Sequence, residues 1–382
     1  MNADCLKLTS YFGERHRAGG VFVADALLDL YGRSEMAASI LLRGTEGFGL
    51  RQHMRTDRSL TLSEDLPLVA VAVDTRPRIE AVLEQTLQLN SPGLVTLERA
   101  VLLDGTSSTH GTSSPDGTSS PDGTSSPDGT STGSRPSPDP ADSAKLTVYL
   151  GRQERAYRVP AFVAVCDLLH RRGIAGATAL LGVDGTSRGT RQRARFFSRN
   201  ADVPMMVIAV GSGERIRRVV PELGGLLHDP LLTLERVSVC KRDGHLLAEP
   251  EALPGTDEHG RALWQKLMIY TSEATQHQGQ PIHRAITRRL RAAGLSGVTT
   301  LRGVWGFHGD HRPHGDRVLS AARRVPAVTI VIESPERMAS AFAIVDELTA
   351  ERGLVTAETI PAMRAAAAGR QKGGLRLADR RP

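Results

Sequence analysis

Aromatic residues make up only 4% of this 382-residue chain. Modules that read single-stranded RNA stack bases on sheet aromatics. That scarcity, with no interleaved basic and aromatic residues in the first strand, argues against nucleic-acid recognition. Cysteine is scarce as well: Cys5, Cys166 and Cys240 are odd in number, far apart and form no Cys-x-x-Cys pair, which fits three reduced thiols better than a disulfide frame or a thiolate metal site. No run approaches the ~18 apolar residues of a membrane helix, and the N-terminus has no basic start followed by an apolar stretch, so a cytoplasmic location is expected. Lysine is nearly absent. Lys7, Lys145, Lys241, Lys266 and Lys372 are the only ones, and the net charge of +6 rests on arginine. Arginine can hold phosphate bidentately, yet a coding bias toward arginine produces the same composition. No Ser-His-Asp, Cys-His or paired-carboxylate arrangement recurs at equivalent positions, so no enzyme is expected.

What is present is periodic. Lys7-Leu8-Thr9-Ser10-Tyr11, Lys145-Leu146-Thr147-Val148-Tyr149 and Lys266-Leu267-Met268-Ile269-Tyr270 are one alternating strand written three times. Matching strands close the units at Leu94–Glu98, Leu231–Glu235 and Leu354–Glu358. Between them a first helix carries apolar residues at helical spacing, as in Val23, Ala26, Leu27, Leu30 and in Ile282, Ala285, Ile286, Leu290. A second strand (38–42, 177–181, 298–301) ends in a Gly- and Arg-rich loop, and a short β-branched third strand follows (68–73, 205–210, 328–332). A second helix repeats the stripe Ile79, Val82, Leu83; in the third copy Ser334 is placed to cap it and Pro335 to open it. The order βαββαβ predicts an α+β fold of three tandem ferredoxin-like units, residues 5–104, 144–241 and 264–363. The third strands are apolar on both faces although two helices cover only one, so the other faces need a partner surface. The simplest is three sheets facing one another about a pseudo-threefold axis. Residues 105–143, a Gly-Thr-Ser-Ser-Pro-Asp repeat, read as a disordered linker; 242–263 read as a second linker and 364–382 as a solvated basic tail.

Through Leu41-Leu42-Arg43-Gly44-Thr45-Glu46-Gly47-Phe48-Gly49 and Leu62-Ser63-Glu64-Asp65-Leu66-Pro67, the first unit resembles the family called domain of unknown function 190. The third does so through Leu301-Arg302-Gly303-Val304-Trp305-Gly306-Phe307-His308-Gly309-Asp310-His311. That family is similar in fold to PII signalling proteins and CutA, trimers with ligand sites in clefts between subunits. The resemblance implies an intrachain PII-like pseudo-trimer: a monomeric signalling or regulatory protein acting on a protein target, such as a membrane channel or transporter, with a link to fluoride homeostasis. The second unit departs from the pattern, since Leu181-Gly182-Val183-Asp184-Gly185-Thr186-Ser187-Arg188 lacks an arginine before its first glycine and a Gly-Phe pair. The Gly-rich phosphate loop of PII proteins has no counterpart, because Asp74-Thr75-Arg76-Pro77 reads as a tight turn; no cofactor is named.

By this resemblance the loop after each second strand corresponds to the PII T-loop. Its candidate ligand-binding residues are Arg43, Gly44, Gly47, Gly49, His53 and Arg55 in the first unit, with Arg51 and Arg58 alongside. They are Arg188, Arg191 and Arg193 in the second, and Arg302, Gly303, Gly306, His308, Asp310, His311, Arg312 and His314 in the third. Glycines let backbone N–H groups approach an anion, and guanidinium forks bind it, so a small anionic ligand, a nucleotide or an acidic partner is expected; solvated loop charge is the plainer reading. His308, His311 and His314 could instead hold a zinc-like ion, as in a metal-binding CutA-like protein. A hydrolase or a nucleic-acid-binding module is the remaining alternative.

Overall fold

The computed structural model describes residues 3–57, 65–104, 142–187, 190–191, 203–309, 311–315, 325–367 and 369–379. In repeat 1 the opening strand Ala3–Gly13 lies between the third strand Pro67–Thr75 and the closing strand Gly93–Asp104. The second strand, Ala38–Phe48, borders the third, and every pairing is antiparallel. Repeats 2 and 3 follow the same order from opening strands Ser143–Gly151 and Trp264–Ser272 to closing strands Leu231–Arg242 and Leu354–Ile360. Each sheet carries two helices on one face: Val23–Arg33 with Arg76–Leu89, Ala161–Arg171 with Gly213–Leu226, and Ile282–Ala292 with Pro335–Leu348. Each first helix is followed by a left-handed residue, Glu35, Gly173 or Gly294, which ends the helical hydrogen bonding. Ser334 does precede the last helix, but its hydroxyl makes no cap bond; Ser212 supplies one in repeat 2, accepting from Arg215 N at 3.4 Å.

Alternation along the third strands explains why they are apolar on both faces. Ala70 and Ala72 pack under the helices of repeat 1, while Val69, Val71 and Val73 point into a central core. Met206, Ile208 and Val210 of repeat 2 join that core, as do Val328, Ile330 and Ile332 of repeat 3. The repeats are also stitched strand to strand in cyclic order. The far end of each second strand crosses onto the next repeat: Gly44–Phe48 onto Val298–Leu301, Trp305–His308 onto Gly176–Ala179, and Gly182–Ser187 onto Ala38–Leu42. Second strands therefore extend well past the boundaries expected from sequence, and the Gly-x-x-Gly motifs lie at these crossings. A Cβ on Gly47 would stand 2.5 Å from the Val298 carbonyl oxygen, and one on Gly44 3.0 Å from that of Thr300. Gly185 and Gly306 approach the Ser39 and Ala177 carbonyls just as closely. The glycines serve a close backbone approach between repeats.

Closing strands continue the stitching. Leu231–Leu234 pairs with Val101–Asp104, and Leu354–Ala357 with Ser238–Arg242. The third contact of this kind corrects the expectation of a solvated tail. Ala362–Ala367 forms a strand on Gly93–Leu97 and turns back through Arg370–Gly374, with Lys372 on Ser296 and Glu333. Met363 and Ala365 enter the central core, so a few apolar side chains outweigh the basic composition here. Further on, Arg99 donates to the Ala378 carbonyl at 2.6 Å. Residues 105–141, most of the expected first linker, lie outside the described residues.

At the centre of the molecule the lysines and glutamates of the repeated strands form a closed ring of buried charge. Lys7 lies 2.7 Å from Glu98 and also pairs with Glu235; Lys145 lies 3.3 Å from Glu235 and 2.6 Å from Glu358; Lys266 lies 3.2 Å from Glu358 and 2.6 Å from Glu98. All six are buried. Burial opposes charge on Lys7, but Glu235 and Glu98 outweigh it and lift the ammonium well above the ordinary lysine range. Burial likewise opposes charge on Glu98, and Lys266, Lys7 and Lys145 hold it well below the carboxylate range. Three carboxylates gathered this closely could hold a cation; here three ammonium groups balance them.

Candidate functional site

A cleft of about 420 Å³ opens where repeat 1 meets repeat 3. Three pieces of repeat 1 build its rim: the turn leaving the opening strand, with Arg15 and His16; the loop after the second strand, with Gly49, Arg51, His53 and Arg55; and Asp65 before the third strand. Tyr11, Leu50 and Leu94 give it an apolar floor on the central-core side, completed by Ile330 and Ile332 of repeat 3 and by Ala365 of the C-terminal strand. The loop is pinned across the junction by Gln52, whose side-chain amide donates to the Leu295 carbonyl at 2.6 Å. Asp65 accepts from Arg55 Nε and from the Arg15 backbone N–H, each at 2.9 Å. Arg51 and His53 are exposed at the mouth and hold no carboxylate among the described residues. Burial, then Arg55, holds the His16 imidazole below the ordinary histidine value, with Asp65 opposing and Arg51 adding to the depression. The cleft thus offers an apolar floor under a rim with more cationic than anionic groups, suited to an anion with an apolar body.

Of the candidate ligand-binding residues that are described, Gly49, Arg51, His53 and Arg55 meet here. Arg43 is held outside by Glu14 at 2.9 Å. Arg302 is spent on Glu273 at 2.6 Å and on Asp57 of repeat 1 at 3.3 Å. Arg191 is clamped by Asp184 at 2.6 Å and by Asp25 and Asp29 of the first helix of repeat 1. Gly44, Gly47, Gly303 and Gly306 sit at the crossings between repeats. The histidine run does not converge as a ligand set. His308 is buried 4.0 Å from Asp243, His311 is exposed and edge-on to it at 5.7 Å, and His314 faces the Arg312 carbonyl at 3.0 Å. Arg58, Arg188, Arg193 and Asp310 lie outside the described residues. Arg15 and His16 went unread, since the basic pair has no echo in the matching turns of the other two copies.

The chain is slightly similar to two solved structures, among others. An aspartate kinase from Synechocystis shares 10% identity over 96% of this chain and 46% of its own, with a TM-score of 0.24. An anthrone oxidase-like protein shares 11% over 61% of this chain and 97% of its own, with a TM-score of 0.17. Likenesses this slight carry no argument. The sequence profile of DUF190, described as an uncharacterized ACR, matches three times, at residues 5–102, 143–239 and 264–362. These are the three stretches that fold as βαββαβ units around the ring. The chain belongs to the DUF190 family, in three tandem copies.

Proposed function

We propose that this protein is a non-enzymatic PII-like regulator. Its three ferredoxin-like repeats stand where three subunits stand in a PII trimer, and a small organic anion binds in the cleft between repeats 1 and 3 to alter how the protein meets its target. The observation that carries this reading is the cleft itself: a cationic rim from one repeat over an apolar floor shared with the next. The cyclic strand crossings support it, because they make one chain enclose its own inter-repeat space. Direct strand-to-helix passage at Thr75–Arg76 leaves no room for a phosphate-cradling loop there, which favours the cleft over an ATP site of the PII type. Calorimetric titration of the full chain with phosphate, AMP, ATP, a cyclic dinucleotide and fluoride tests the reading. At least one organic anion should bind and should slow amide exchange over residues 49–55. Failure of every anion to bind, or turnover of one of them, overturns it.

A further inference from the structure

We propose that the chain binds one ligand rather than three, an organic anion with an apolar body and a single acidic head, at the junction of repeats 1 and 3. This rests on the ligand-binding reading above and adds that the other two junctions are not sites and that the ligand has an apolar body with one acidic head.

The three internal copies act as controls on one another. The turn after each opening strand is closed by the same pair of backbone bonds, from His16, Glu154 or Thr275 N to the carbonyl three residues earlier, and from the helix start back to the carbonyl of that same residue. His16, Glu154 and Thr275 are therefore equivalent, and so are Arg15, Gln153 and Ala274. Only repeat 1 places cations at these positions; repeat 2 places a carboxylate there, which repels an anion. The loops diverge in the same sense. In repeat 1, Arg51 and His53 remain exposed beside the cleft. In repeat 2, three carboxylates neutralise Arg191. At the junction of repeats 3 and 2, His308 is buried beside Asp243, and Leu354 fills the space against Gly176, where a Cβ would meet its Cδ2 at 3.0 Å. The equivalent Leu94 lines the open cleft instead.

Ligand class follows from the lining. About 420 Å³ falls in the range of sites for small organic molecules. The floor of Tyr11, Leu50, Leu94, Ile330 and Ile332 asks for an apolar body, and the basic groups come from the turn and loop of repeat 1. His16 also couples binding to protons. It faces Arg55, Arg51 and Asp65, and burial with the two guanidinium groups keeps it neutral below the usual histidine value. An anion seated among these groups offsets that repulsion and favours the imidazolium. Affinity should therefore rise as pH falls through the histidine range, and level off once His16 is protonated in the free protein too.

The test uses full-length protein and 1-anilinonaphthalene-8-sulfonate, whose sulfonate stays ionised across the range, beside N-phenyl-1-naphthylamine, the same body without the charge. Fluorescence and calorimetric titrations should give one sulfonate per chain, bound more tightly at pH 5.5 than at pH 8, with the neutral amine weaker. His16→Gln/Arg51→Gln should weaken the sulfonate by about tenfold or more, the loss of a charge-assisted bond. Glu154→Gln, at the matching turn of repeat 2, should leave it unchanged. Stoichiometry and charge preference need no variant, so the proposal stays testable if the double substitution unfolds. Three equivalents per chain, equal binding of the neutral amine, or a single site indifferent to the cleft substitutions overturns the inference while leaving a ligand-binding protein. If neither the sulfonate nor any anion of the earlier panel binds, the broader reading falls with it.

Discussion

Each carboxylate of the central ring stands between ammonium groups from two different repeats, so a single substitution leaves two partners under-compensated in a buried setting. Glu358→Gln should destabilise the protein by about 3–5 kcal/mol, the usual cost of stranding a buried charge, measured by urea unfolding. Removing Lys145 and Glu358 together, as Met and Leu, keeps the ring balanced at two charges of each sign, so the pair should cost less than the sum of its singles; additive losses would show that the ring does not act as a unit. The pH dependence has a definite sign. Glu98 and Glu358 are held below the ordinary carboxylate value of 4.5, so their contribution is present above it and is lost as pH falls through their folded values. Lys7 and Lys266 are raised above 10.5, so theirs is present below that value and lost as pH rises through the folded ones. Lys145 has the opposite sign: burial, with Lys266 and Lys7 adding, outweighs Glu235 and Glu358 and holds it below 10.5, so its charging opposes the fold until pH rises through the unfolded value, and between the limits the ring holds through its other members. Its members were visible in the sequence as markers of the repeat, but their pairing was not, because Lys7 and Glu235 stand 228 residues apart. The available signal was economy: three of only five lysines occupy equivalent positions in an arginine-rich chain. Lysine's compact ammonium suits a site where each cation must serve two carboxylates.

Among the elements, the second strands show how a glycine motif can be noticed while its structural role stays hidden. Gly-x-x-Gly occurs in all three copies, and a missing Cβ serves equally for a ligand or for another strand. Composition cannot distinguish them; the register across repeats does. Gly47→Ala should therefore cost about 1–3 kcal/mol through overpacking against Val298. Gly49→Ala, with nothing within 4 Å of its Cβ, should cost much less in the same melting experiment. Equal melting temperatures would contradict the close-approach role. The third strands were legible for the opposite reason. Their doubly apolar pattern has one physical meaning, burial on both faces, and Val69 with Val71 do meet the other repeats. The C-terminal strand was hidden because its burial rests on two alanines, Ala362 and Ala365, and the single larger Met363, too little apolar side chain to register as a strand beside so many arginines.

For the whole molecule, a core built jointly by three repeats implies joint failure. A calorimetric scan should show one transition rather than three, and the protein should sediment as a 41.1 kDa monomer; separable transitions would mean that the repeats hold their own cores. The C-terminal strand has a mechanical consequence as well. Ala3–Gly13 and Ala362–Ala367 flank the same closing strand of repeat 1, each antiparallel to it, so the first and last strands run in the same direction. Ala3 lies opposite Leu102 at one end, and Ala366 lies opposite Gly93 at the other. A pull on those two outer ends runs along the strand axes and loads every bond of both seams at once. Force applied between Ala3 and Ala366 would meet a lap joint glued on two sides, whereas force applied beyond Gly374 would first peel the returning strand Arg370–Gly374 off Ala362–Ala367 one bond at a time.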